Sequence, residues 1–211
     1  MAKFIAIRLS RLLGKPPIMV AGMTPSRSTV KAGFVSAVLD AGYHIELAVG
    51  GHYNTAAFRS KVAEIQKTIP TGVGSTLNSL YINPCQFTFQ MLLWQEMRKE
   101  GLPVKGFCVS ASTPTTEKAV EIIDGLKAAG IRHVAFKPGS VDGIRQVVNI
   151  ARANPDFPVI LQWTGCRAGG HHSFEDFRQP ILATRAIRQH DHISLVAGSG
   201  FGSADDVWEY I

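Results

Sequence analysis

The sequence predicts an α/β fold: a TIM-type (β/α)8 barrel truncated to about seven β/α units. Three observations carry that reading. Short apolar, β-branched runs alternate with helical patterns along the whole chain, which implies parallel pairing through right-handed crossovers. The runs are near-continuously apolar, as strands covered on both faces should be. Polar and glycine residues gather at the C-terminal ends of nearly all of them. A barrel brings all such ends to one site, whereas an open doubly wound sheet uses mainly those at its switch point.

Taken in order, residues 4–13 read as a short basic helix within an entry segment (1–16), and residues 17–211 form the domain proper. The expected strands are PIMVAG (17–22), HIELAVG (44–50), GVGSTLN (72–78), GFCVSAS (106–112), HVAFKPGS (133–140), PVILQWTG (158–165) and ISLVAGSG (193–200). Each ends in small or polar residues that open a turn. Helices are expected over 28–39 after Pro25, and over 56–69 with Asn54 as N-cap. The pattern over 84–99 is apolar on one face and stops at Gly101. Further helices follow Thr113 (114–129, ending at Gly130), Ser140 (141–153) and Ser173 (174–189, with Pro180 as a kink). A last one begins near Ser203, with Asp206 three residues on. A barrel needs eight strands and seven are counted, so the eighth strand is read as missing.

Composition bounds the function. The chain has 211 residues, 45% hydrophobic and 18% charged, which suits one sizeable globular core. Apolar runs such as PPIMVAGM are too short to cross a membrane. Cys85, Cys108 and Cys166 are far apart and odd in number, so they suit a reducing compartment and neither a disulfide framework nor a metal pair. Lys3, Arg8, Arg11, Lys15, Arg27 and Lys31 all precede the first acid, Asp40. That is also the composition of a mitochondrial presequence, but a strand beginning at Pro17 opposes it, and a cytoplasmic location is expected. The net charge of +6 favours acidic partners: phosphates, nucleotides or an acidic carrier protein. The basic residues are not clustered with aromatics, which argues against nucleic acid.

The strand ends hold the candidate chemistry. GSGFG after the seventh strand exposes backbone N–H groups before a helix start, as a phosphate loop does; a tight turn would look the same. Ala21, Gly22, Met23 and Thr24 end the first strand without bulk, so a planar ring could lie against them; Thr24-Pro25 also reads as a helix entry. Asn78 suits either the edge of a heterocycle or a turn cap. Lys137 ends an apolar strand, where it could stabilise negative charge, form a Schiff base or snorkel outward. His44 and Glu46 could pair with each other behind the site, though their strongly apolar neighbours favour a structural role for both. In AGGHHSFED, Gly169 and Gly170 admit close approach of a ligand, and His171 or His172 offers acid–base chemistry at its edge. Metal binding by those histidines with Glu175 or Asp176 lacks a third ligand at firm spacing.

Together MVAGMTPS, AGYHIELA, LNSLYINP, FKPGSVD, PVILQWTG, GGHHSFEDF and VAGSGFG resemble the enoyl reductase domain of the fungal fatty acid synthase beta subunit. The resemblance runs from about Leu9 to the C-terminus. It implies an FMN-containing TIM barrel related to nitronate monooxygenases, with NADPH as reductant. Gly198, Ser199, Gly200 and Gly202 would hold the FMN phosphate. Ala21, Gly22, Met23 and Thr24 would lie under the ring, with Asn78 at its edge and His171 as the catalytic histidine. Lys137 is added from its position at a strand end, as a cation beside the flavin. The implied reaction reduces a trans-2-enoyl thioester delivered by an acyl carrier protein, within an assembly of the remaining synthase domains and subunits. Cys166 and Ala168 depart from the more glycine-rich run expected there. A nitronate monooxygenase-like oxidoreductase and an inactive truncated fragment are the alternative readings.

Overall fold

The computed structural model describes residues 7–22, 31–49, 54–169, 172–176, 187, 190–198, 200 and 203–208. The elements are α1 (Arg8–Leu13), β1 (Met19–Val20), α2 (Ala32–Asp40), β2 (His44–Ala48), α3 (Thr55–Thr68), β3 (Ser75–Leu80), α4 (Pro84–Lys99), β4 (Val104–Ser110), α5 (Thr116–Ala128), β5 (His133–Phe136), α6 (Val141–Ala153), β6 (Val159–Trp163) and β7 (Ile193–Ala197), followed by a short helix, Ala204–Trp208. The seven strands form one parallel sheet in the order β1-β2-β3-β4-β5-β6-β7. Sequential parallel neighbours joined by helices are the topology of a TIM barrel, here a curled seven-stranded part of one.

Local signals set the helix boundaries. Asn54, Asn83, Thr115 and Ser140 each accept a backbone N–H three residues on, satisfying donors that a helix N-terminus leaves open. The cap of α5 is thus Thr115 and not Thr113: Pro114 lies outside the helix, and its carbonyl accepts from Gln146 at 3.0 Å. Ser203 and Asp206 form the reciprocal capping box expected of them. Phe174 does not start a helix; residues 174–176 run through a bend with Phe174 exposed. The rest of the helix expected to 189 lies, apart from Ile187, outside the described residues.

Because side chains alternate along a strand, each β-strand serves two environments. Outward-facing Leu47, Leu77, Phe107, Val109, Phe136 and Leu161 pack under the helices with Val35, Phe58, Trp94, Ile122 and Val147 in the main core. Trp94 stacks on Phe58 and donates to the Gly106 carbonyl at 2.9 Å, so its one polar atom is satisfied. On the inner face Leu9 of α1 packs with Cys108, Ala135 and Ile160. Arg8 fixes α1 there by donating to the carbonyls of Ile187 and His190, just before β7.

Low on the inner face lies a polar layer. The Thr76 hydroxyl is 2.8 Å from His44 Nε2 and 2.8 Å from His133 Nε2. A hydroxyl has one proton, so it donates to one imidazole and accepts from the other; the two rings therefore hold opposite protonation at Nε2. Gly106 makes the room, since a Cβ there would lie 2.0 Å from His133 Nε2. Burial drives both imidazoles down to a pKa of about 3, helped at His44 by Lys15 and at His133 by His44 and Arg132, with Glu46 opposing. Both stay neutral in the fold, whereas the unfolded chain protonates them near pH 6.5.

Stability from this layer is therefore complete above about pH 6.5 and is lost as pH falls towards 3. At pH 5 each histidine should cost on the order of 2 kcal/mol relative to pH 7.5. Urea midpoints at the two pH values test this, and the imidazole NMR shifts of His44 and His133 should stay constant between them. Titration of either ring near pH 6 in the folded chain would contradict it.

Candidate functional site

The C-terminal ends of the strands converge on one cavity of about 1260 Å³. Gly22 past β1, Asn78 on β3, Ser110 on β4, Lys137 past β5, Gln162 on β6 and Gly198 past β7 all line it. Alternation explains the set: Asn78 and Ser110 stand on the face opposite Leu77 and Val109, which belong to the core under the helices.

Behind this wall lies Glu46 of β2, with no exposure to solvent. Its Oε2 accepts from the Gly22 backbone N–H at 2.9 Å, from Asn78 Nδ2 at 2.9 Å and from Lys137 Nζ at 2.6 Å. The other oxygen, Oε1, has no hydrogen-bond partner among the described residues. Asn78 is held from its other end by Ser110, whose hydroxyl lies 2.7 Å from Oδ1. Burial is the largest influence on Lys137 and lowers its affinity for its proton, but the Glu46 charge, Cys108 and the hydrogen bond to Glu46 together more than offset it, so the net pKa rises. The Cys108 thiol is pushed up by its own burial and then by the Glu46 charge. His44 points instead to Thr76, so the expected His44–Glu46 pair does not form; the two sit in separate networks.

The segment after β6 folds back over β5. Thr164 donates to the Pro138 carbonyl, Cys166 donates to that of Glu175, and a Cβ on Gly139 would lie 3.1 Å from that of Ser173. This brings Gly169 and His172 to the cavity wall. Arg167 ties the segment to the final helix through Asp206 at 3.1 and 3.4 Å. Its carbonyl also sits where a Cβ of Gly200 would be, 1.8 Å away. Gly200 has φ +68°, so both its conformation and its surroundings require glycine. Gly169 is different: nothing lies within 4 Å of a Cβ there, and the bare backbone faces open cavity.

Of the residues expected from the sequence, Ala21, Gly22, Asn78, Lys137, Gly169, Gly198 and Gly200 share this one cavity. Met23, Thr24, Gly170, His171, Ser199 and Gly202 lie outside the described residues. Sequence reasoning missed the hub role of Glu46, the Ser110 brace and the Arg167 tie. Gln162 lines the cavity, as its place at a strand end implies; it is almost fully buried, and its Oε1 has no partner among the described residues. The available signal was an acid inside the apolar run HIELA, which burial makes costly unless donors surround it. Among the described residues no cluster of His, Cys, Asp or Glu could hold a metal ion.

Comparison with known proteins places this geometry. The chain is 56% identical over 204 residues to fatty acid synthase 2 of Mycosarcoma maydis, covering 96% of the chain and 6% of that protein. It is 50% identical to the fatty acid synthase beta subunit pkiC of Emericella nidulans, covering 97% of the chain and 11% of that protein. It is 44% identical to the fatty acid synthase subunit beta of Saccharomyces cerevisiae, covering 99% of the chain and 10% of that subunit. This chain is homologous to a segment of the fungal fatty acid synthase beta subunits. A family model described as fatty acid synthase subunit beta/Fas1-like, helical, matches residues 158–211 of this beta-subunit segment. In structure the segment is similar to 2,3-dimethylmalate lyase of the PEP mutase/isocitrate lyase superfamily, with a TM-score of 0.51 over 87% of this chain and 63% of the lyase. At 11% identity that likeness shows the barrel fold alone.

Two glycines of the cavity wall, Gly200 and Gly169, should respond oppositely to a methyl group. Gly200→Ala should cost about 1–3 kcal/mol in a urea melt, through strained backbone and collision with the Arg167 carbonyl. Gly169→Ala should leave the melt within about 0.5 kcal/mol yet weaken any ligand bound against that backbone. A Gly169→Ala melt as damaged as that of Gly200→Ala would contradict the open-wall geometry.

Proposed function

We propose that this segment is the FMN-dependent enoyl reductase part of a fatty acid synthase, reducing trans-2-enoyl thioesters on an acyl carrier protein with NADPH. The observation that carries the reading is the single cavity at the strand ends: glycine-lined at Gly22, Gly169, Gly198 and Gly200, and polar at Asn78, Lys137 and Gln162. The residues present fit a flat ring with an anionic tail. Gly198 and Gly200 precede the final helix and would take the phosphate, with Ser199 and Gly202 between and beyond them. Gln162 has an unused acceptor and Lys137 further N–H donors for the polar edge of a heterocycle. A Cβ on Gly22 would press on Glu46, Asn78 and Ala48 at 3.2–3.3 Å and push against all three; glycine keeps the wall flat there.

Bound FMN would supply hydride transfer from NADPH to the β-carbon of the thioester. The chain's own residues do the rest. Lys137 places a positive charge at the cavity wall. His171, which follows Gly170 in the segment that brings Gly169 to the cavity, would give a proton to the α-carbon or polarise the thioester carbonyl. The bare backbone at Gly169 would let the acyl group approach. The remaining synthase domains and the acyl carrier protein are the proposed partners, and the cytoplasm the proposed compartment. No described helix is long and apolar enough to cross a membrane.

The test is to load the chain with FMN, remove excess, record the visible spectrum, and follow NADPH oxidation with crotonyl thioester or with a nitronate. Flavin bands and thioester-dependent turnover are expected, and His171→Ala should keep the bands while losing about 10²–10⁴-fold in turnover. Nitronate-dependent oxygen uptake without thioester turnover would replace this reading with the monooxygenase-like one. A colourless, inactive chain would leave a fragment without the activity.

A further inference from the structure

Among the described residues the inner face of the sheet carries one carboxylate at the level of the cavity, and three groups, from just past β1, from β3 and from just past β5, meet on one of its oxygens. All three residues, Gly22, Asn78 and Lys137, line the cavity, the last two with their side chains. We propose that Glu46 is the positioning residue of this site: its carboxylate fixes the place and the charge of the Lys137 ammonium and the orientation of the Asn78 amide, without itself touching the ligand.

Three features point this way. First, the Lys137 side chain is 13% exposed, an environment that drives an isolated ammonium towards its neutral form. The charged groups around it are few. Glu46 faces it from β2 and the Cys108 thiol from β4; His133 is on its own strand but engaged with Thr76 at the level below; His172 lines the same cavity. Among the described residues Glu46 is the neighbour that contributes most against burial, with Cys108 adding to it. Second, Oε2 accepts from Asn78 Nδ2, which sends Oδ1 towards Ser110 and sets which end of the amide points where. Third, Glu46 reaches the cavity only through these donors: it is wholly buried and is not among the lining residues. The inference rests on the flavin reading for the identity of the ligand, and on this geometry alone for the link between Glu46 and Lys137.

The experiment reads the lysine directly and needs no flavin. Native chain and Glu46→Gln are labelled with acetic anhydride across pH 6–10, and modification of each lysine is followed by mass spectrometry, with exposed Lys118 as internal reference. In the native chain Lys137 should resist labelling throughout. In folded Glu46→Gln it should label at pH 8 at least about tenfold faster relative to Lys118, as expected for a fall of one pH unit or more. Unchanged Lys137 reactivity in folded Glu46→Gln overturns the proposal. Should Glu46→Gln fail to fold, the urea midpoints of Lys137→Met and of the double variant Glu46→Gln/Lys137→Met decide. The double variant should be more stable than either single one, because it leaves no uncompensated buried charge. A double variant no more stable than Lys137→Met overturns the proposal as well. If the labelling result holds while FMN fails to bind, the positioning role stands and the flavin reading falls.

Discussion

A carboxylate cut off from solvent must be surrounded by donors, and Glu46 collects its donors from the chain just past β1, from β3 and from just past β5. Taking away one partner of a buried ion pair costs about 3–5 kcal/mol, because the remaining charge is left without compensation. The strands that supply these groups therefore have to close at the right register. Glu46 lies opposite Thr76 and Ala48 opposite Asn78, so Asn78 reaches the carboxylate from the adjacent strand. Lys137 comes from three strands away, across the concave face, and only a curled sheet brings it within 2.6 Å. One interaction thus joins the curvature of the fold to the chemistry of its mouth.

Below that level the inner face is arranged differently. The His44–Thr76–His133 chain is polar but neutral, closed on itself, and shielded by burial. Above it come the ion pair and then the cavity. On the inner face, charge is thus placed next to the cavity, while the hydrogen-bonded layer below it is neutral. A largely buried cation interacts with an anionic or electron-rich ligand more strongly than one on an open surface. The buried carboxylate that holds this cation in place also stops it from collapsing onto other acceptors in the wall.

Most of the architecture was legible because it depends on local rules. The apolar runs are strands since burial on both faces demands them, and the bounds of α4 and α6 follow from Asn83 with Pro84 and from Ser140. Thr115 and not Thr113 caps α5, and propensity alone does not choose between two threonines two residues apart. The convergence of Gly22, Asn78, Lys137, Gly169 and Gly198 was also legible, since a barrel gathers strand ends whatever their identity. The purpose of Glu46 was not. Its apolar neighbours Ile45 and Leu47 point to the opposite face, so their character says nothing about what the carboxylate meets. Its partners lie 24, 32 and 91 residues away in sequence. Gly200 was read as part of a phosphate loop, while the structure adds a second reason for it: the Arg167 carbonyl occupies the space a side chain would need.

The central claim is that the strand ends form one ligand site organised by the Glu46–Lys137 pair. A crystal structure of the chain grown with FMN tests it most directly. The account predicts the flavin in the cavity, its phosphate against Gly198 and Gly200, its ring bonded to Lys137, and Lys137 still bonded to Glu46. Flavin bound elsewhere, or bound in the cavity with Lys137 turned away from Glu46, would contradict it.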